Sequence, residues 1–100
     1  MTNAHNLLEA DTELPHNLSA ERALIACCLL GDNSDAYDRI SGIVRPDDFY
    51  TLSHQLAYQS IAELSGAGEP IDEINLVERL KVNNSLDEVG GIAGVMALAG

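Results

Sequence analysis

The chain is short of aromatic residues and of positive charge, and each shortage excludes a class of protein. Aromatics make up 4% of its 100 residues and Trp is absent, so the core is aliphatic, which suits packed helices. Only 5 Lys and Arg stand against 16 Asp and Glu, for a formal net charge of -11. Because so acidic a surface repels phosphate, the sequence predicts no direct contact with nucleic acid or with an anionic membrane. A basic protein partner is compatible with this charge.

Cysteine is also scarce. The two cysteines, Cys27 and Cys28, are adjacent, and neighbours on a helix point about 100° apart, which does not allow an ordinary disulfide. No second pair exists to complete a disulfide framework or a zinc site. Both residues are therefore predicted to be buried, reduced thiols that behave as small hydrophobic side chains in a reducing compartment.

Long apolar runs and targeting signals are missing as well. Residues 1–13 lack the basic start and apolar stretch of a signal peptide, and they are interpreted as a disordered tail. The longest apolar run, 23–30, has 8 residues, whereas a membrane-spanning helix needs about 20. The sequence predicts a soluble, cytoplasmic protein with one ordered domain over 14–100. Its end without a cap at Gly100 suggests a fragment of a longer chain.

The first predicted helix follows a clear start signal. Asn17 or Ser19 serves as its N-cap, Glu21 lies in the first turn against the helix dipole, and Gly31 ends it. After Arg22 the helix is apolar on almost every side. Such a helix is expected to lie centrally in the fold and to be covered on most sides.

Five further helical segments are predicted, most of them from apolar side chains spaced three and four apart. They are a helix over 34–44, a turn that begins at Pro46, a helix from Thr51 or Ser53 to Leu64, and a helix after Asp72, followed by a last short helix over 92–100. The predicted buried stripes are Ala36, Ile40, Ile43 and Val44; Ala57, Tyr58, Ile61 and Leu64; and Leu76, Val77 and Leu80. The fold class is all-α, a compact single-domain bundle of about five or six short helices.

The stretch VRPDDFYTLSHQL raises the question of a catalytic or metal site. Asp47, Asp48 and His54 are the residue types that bind metal or transfer protons, but no second His or Cys lies at ligand spacing. The alternative, purely structural interpretation is favoured: the two aspartates begin a helical turn, and His54 is a hydrogen-bonded core residue. No phosphate-binding loop, nucleophile elbow or dinucleotide motif is present, and a DNA-reading helix would need more Arg and Lys than 73–83 offers.

Three stretches, taken in order, carry a resemblance to a known family. They are LPHNLSAERALIACCLL, DDFYTLSHQLAYQSIAEL followed by PID and NLVERL, and LDEVGG. At these distances they resemble the N-terminal domain of the bacterial replicative DNA helicase, the DnaB family. The resemblance covers 14–98. It implies an all-helical head domain that precedes a helical hairpin, a linker and a RecA-like ATPase domain.

The resemblance also implies partners and cofactors. In the family, heads assemble as a trimer of dimers in a hexamer and dock the helicase-binding domain of primase. ATP and Mg²⁺ belong to the later ATPase domain, so this segment is predicted to hold no cofactor or metal and to catalyse nothing itself. As an isolated fragment it is expected to be a monomer or a weak dimer. The alternative hypothesis is a free-standing helical adaptor, of phage or regulatory type, that mimics the head and captures replisome proteins.

The same resemblance assigns landmarks and one departure. The structural landmarks are Asp47, Asp48, Phe49, Tyr50, His54, Tyr58, Asp72, Gly90 and Gly91. Phe49 and Tyr50 are expected to pin the turn to the following helix. The family commonly has an aromatic at the third position after the paired glycines, where this chain has Gly94. That difference predicts a weaker last helix and a missing partner anchor, so primase docking would be weaker or would use another patch.

Overall fold

The computed structural model describes residues 17–30 and 35–100. Within these ranges the chain forms five α-helices and no strand: α1 Leu18–Leu29, α2 Asp35–Ser41, α3 Leu52–Gly66, α4 Glu73–Val82 and α5 Gly91–Ala99. Two 3-10 turns, Pro46–Asp48 and Asp87–Val89, precede α3 and α5. The predicted all-α class is confirmed. The predicted tail over 1–13 and the predicted stop at Gly31 lie outside the described residues.

Local signals in the sequence set several helix ends. The side chain of Asn17 accepts a hydrogen bond from the Ala20 N–H at 3.0 Å, and that of Asp72 accepts one from the Asn75 N–H at 2.8 Å. Each satisfies a donor that the first turn leaves without a partner inside the helix. At the end of α3, Gly68 adopts a φ of 72°, a left-handed conformation that glycine enters at little cost.

The core is organised around α3. This helix packs against α1, α4 and both 3-10 turns. The stripe predicted on it is confirmed, and so is the predicted stripe of α4. Their fully or almost fully buried members are Ala57, Tyr58, Ile61 and Leu64 on α3, and Leu76, Val77 and Leu80 on α4.

Two predictions about α1 are wrong. The helix contacts α2, α3 and α5 through one side, and its other side is open, with Leu18 50% and Leu30 63% exposed. It is therefore not covered on most sides, because the helix that lies at the centre is α3. Cys27 falls on the open side and is exposed, whereas Cys28, one position further round the helix, is buried.

The second helix is shorter than predicted. It ends at Ser41, and the N–H groups of Ile43 and Val44 both donate to the carbonyl of Ile40, at 2.9 and 2.7 Å. This turn directs Val44 into the core and leaves Ile43 47% exposed. The predicted stripe over 36–44 is therefore only partly right, since its last members are placed by a turn and not by helical periodicity.

Candidate functional site

A buried carboxylate from α1 holds the start of α3. Glu21 is 1% exposed, and its carboxylate accepts hydrogen bonds from the Tyr50 N–H at 2.6 Å and the Thr51 N–H at 3.4 Å. It also contacts Nδ1 of His54 at 2.7 Å. Because a carboxylate only accepts hydrogen bonds, this ring nitrogen carries the hydrogen in the pair. One side chain therefore satisfies two backbone groups and orients a histidine that is itself 6% exposed.

The segment before α3 is fixed from its other side as well. The Gln55 amide donates to the carbonyl of Phe49 at 2.6 Å. The Phe49 ring is 1% exposed and lies with its centroid 4.9 Å from that of Tyr58 and 6.5 Å, edge on, from that of His54. We call Glu21, Phe49, His54, Gln55 and Tyr58 the entry cluster. It ties the N-terminal end of α3 to α1.

Tyr58 extends the entry cluster to the end of the second helix. Its hydroxyl donates to the carbonyl of Val44 at 2.9 Å, and its ring lies 5.8 Å from that of Tyr37. Burial, followed by the nearby Tyr37 and Cys28, raises the pKa of Tyr58. The phenol therefore keeps its proton over the physiological range and stays able to donate this hydrogen bond.

The structure does not bring the candidate metal ligands together. His54 turns to Glu21, while Asp48 accepts the Arg45 N–H at 2.8 Å and Asp47 is exposed. Across 17–30 and 35–100, no three His, Cys, Asp or Glu side chains form a group that could hold a metal ion. The arrangement instead anchors the start of α3. The two aspartates follow Pro46 in the first 3-10 turn.

The predicted landmarks occupy different structural positions. The Phe49 ring is buried against Tyr58 of α3, whereas the Tyr50 side chain is 63% exposed and Tyr50 donates its backbone N–H to Glu21. Gly90 and Gly91 adopt left-handed φ values of 99° and 72° as the chain enters α5. Asp72 is the N-cap already described.

Gly94 fills a role that differs from the predicted one. A Cβ at this position would overlap the carbonyl oxygen of Val89 and lie 2.9 Å from its carbonyl carbon. The residue therefore faces the backbone of the preceding turn and permits its close approach. The prediction that Gly94 marks a missing partner anchor is wrong for this backbone, since a side chain here would point into the turn and not outward.

Sequence reasoning missed two members of the entry cluster, Gln55 and Glu21, and Glu21 is the harder of the two to find. It stands 33 residues from His54 in the chain, and its position in the first turn of α1 gives it an ordinary local role against the helix dipole. Nothing in local spacing indicates a carboxylate that crosses to another helix. The burial of Glu21, which only the three-dimensional structure shows, is what marks it as part of the cluster.

Comparison with known proteins places this architecture in a family. The sequence pattern of the DnaB-like helicase N-terminal domain matches residues 13–100. The chain belongs to this family. The replicative DNA helicase DnaB of Pasteurella multocida is 36% identical over 92 residues, which cover 92% of this chain and 19% of that protein. The replicative DNA helicase DnaB of Treponema pallidum is 41% identical over 86 residues, which cover 84% of this chain and 19% of that protein.

A solved structure supports the same assignment. The crystal structure of the N-terminal domain of DnaB helicase from Mycobacterium tuberculosis superposes with a TM-score of 0.80 at 33% sequence identity. The match covers 85% of this chain and 58% of that one. The chain thus spans about a fifth of the length of the curated DnaB relatives named above. None of the described helices is long and apolar enough to cross a membrane.

Proposed function

We propose that this DnaB-like domain is the assembly and primase-docking head of a hexameric replicative helicase that unwinds DNA with ATP in the cytoplasm. The agreement in fold and sequence with the N-terminal domain of a DnaB helicase carries the proposal. In this proposal the chain contributes protein contacts. ATP and Mg²⁺ act in a separate ATPase domain of the parent.

The charge of the chain supports a docking role. With a net charge of -11, the head attracts a basic protein surface and repels the phosphates of the DNA on which the ATPase domain acts. The entry cluster supports the same role from inside. It joins α1, the first 3-10 turn and α3 through hydrogen bonds to backbone groups, so these elements present a preformed surface that loses little entropy on binding.

A calorimetric titration tests the proposal. The 100-residue chain is titrated with the helicase-binding domain of the Pasteurella multocida primase, and separately with ATP and Mg²⁺ and with duplex DNA. We expect saturable binding of the primase domain that weakens as salt is raised, and no heat from the other two. Binding of ATP or DNA without binding of the primase domain would reject the proposal.

A further inference from the structure

We propose that a groove between α3 and the C-terminal end of α4 binds an arginine side chain from a basic segment of a partner protein. The inference deepens the proposed function and rests on it, because it assigns one contact of a docking domain. The groove has a volume of about 130 Å³, which is room for one side chain and too little for a helix. Its lining consists of Leu56, Gln59, Ser60, Glu63, Asn83 and Ser85.

Asn83, the C-cap of α4, fixes the polar wall of this groove. Its amide nitrogen donates to the Ser60 hydroxyl at 3.2 Å and to Oε1 of Glu63 at 2.9 Å. Because a carboxylate only accepts hydrogen bonds, the contact with Glu63 identifies this atom as the amide nitrogen. Both of its hydrogens are then used. The orientation of the amide is therefore set, and its oxygen Oδ1 is left as an acceptor.

Two acceptors of this wall are not used by the protein. Within 17–30 and 35–100, no residue donates a hydrogen bond to Oδ1 of Asn83 or to Oε2 of Glu63. The wall also lies at the C-terminal end of α4, where the partial charge of a helix is negative. A ligand that carries positive charge and several hydrogen-bond donors is complementary to this wall.

The nearest positive side chain does not neutralise the groove. Arg79 lies between two acids, with Nε 4.0 Å from Glu63 and a terminal nitrogen 3.9 Å from Glu69. Both distances are longer than a hydrogen bond. The 3-10 turn Asp87–Val89, which packs on α3, adds two exposed acids shortly after Ser85. The surroundings of the groove therefore keep a net negative charge.

The two acceptors favour arginine over lysine. A guanidinium is planar and carries its N–H groups in a fixed fork, so it can donate to Asn83 and Glu63 together, whereas an ammonium group is a compact point charge. Leu56 supplies an apolar part of the lining, against which the methylene stem of an arginine can lie. Because Glu63 is only 35% exposed, the ion pair forms partly out of water, which strengthens it.

A nuclear magnetic resonance titration with a small arginine compound tests the groove. The 100-residue chain, labelled with heavy nitrogen, is titrated with N-acetyl-arginine amide while its amide signals are followed. We expect saturable shifts confined to the residues that line the groove, with a Kd of about 10 mM that rises with added salt. N-acetyl-citrulline amide, in which a neutral urea replaces the guanidinium, should produce no such shifts. N-acetyl-lysine amide should bind about threefold or more weakly.

Variants assign the binding to Glu63. Glu63→Gln removes the charge but keeps an acceptor for Asn83, and it should weaken binding about tenfold. Glu78→Gln is the matched control: the same change is made at a side chain that is 65% exposed, pairs with Lys81 and does not line the groove. It should change the Kd by less than about twofold. Asn83→Ala is a second variant in case Glu63→Gln alters the fold, which the amide spectrum of each protein reports.

Three outcomes would overturn the inference. They are equal binding of the arginine and lysine compounds, shifts spread evenly over the acidic surface, and equal weakening by Glu63→Gln and Glu78→Gln. None of these outcomes depends on primase. The primase titration gives an independent readout, so failure of the groove is distinguishable from failure of the proposed function.

Discussion

Removing the Glu21 carboxylate should lower the free energy of unfolding by much more than the loss of an ordinary first-turn glutamate would. In Glu21→Ala, the Tyr50 N–H and the His54 ring lose acceptors that lie at 2.6 and 2.7 Å, and the Thr51 N–H loses a longer contact. Leaving a buried donor unsatisfied costs about 1–3 kcal/mol. For the two short bonds the loss is about 2–6 kcal/mol, against a total stability of about 5–15 kcal/mol for a natural domain.

Urea unfolding followed by far-ultraviolet circular dichroism measures this loss. We expect Glu21→Ala to lower the free energy of unfolding by about 3 kcal/mol and Glu21→Gln by about half as much, because the amide keeps one acceptor oxygen. Glu78→Ala is the control. Its side chain is 65% exposed in a surface pair with Lys81, and it should change stability by about 0.5 kcal/mol or less.

A double-mutant cycle localises the effect. If Glu21 acts partly through His54, the combined loss in Glu21→Ala with His54→Ala is smaller than the sum of the single losses. A cost for Glu21→Ala no larger than that of Glu78→Ala would refute the role of the buried carboxylate at the start of α3.

Three further perturbations test the packing. Gly94→Ala should lower the melting temperature despite the better helix propensity of alanine, because the new Cβ meets the backbone of the preceding turn. Gly66→Ala is the control: a Cβ there has nothing within 4 Å, so the melting temperature should stay unchanged or rise. A rise for both variants would contradict the close approach at Gly94. Phe49→Ala should cost about 3–5 kcal/mol in urea unfolding, and a cost under about 1 kcal/mol would show that its ring does not fill the core. A thiol reagent at neutral pH should label one cysteine per chain, Cys27. Cys28 is 1% exposed, and burial raises its pKa to about 12. Rapid labelling of both thiols in the folded protein would contradict this difference in accessibility.

Periodicity and local caps were enough to predict the all-α class and the inward faces of α3 and α4. Both depend on interactions within a few residues of the chain. The surroundings of α1 were not predictable in this way. An apolar helix can be covered on all sides or on one, and only the position of its neighbours decides which, so Cys27 was wrongly placed in the core.

The candidate site shows the same limit. The sequence favoured a hydrogen-bonded core role for His54 over a metal site with the nearby aspartates, but it did not identify the hydrogen-bond partner of His54. Its partner is Glu21, brought from another helix by the packing of α1 on α3. Gly94 is a second case, because the need for glycine arises from the path of the preceding turn and leaves no local pattern.

The central claim is that this chain serves as the head of a replicative helicase, and a domain exchange tests it most directly. The chain replaces the matching N-terminal segment of the Pasteurella multocida DnaB helicase, which is 36% identical over 92 residues. We predict that the exchanged helicase forms hexamers and that primase still binds it. Loss of both, with a folded head confirmed by circular dichroism and an ATPase domain that remains active, would contradict the account.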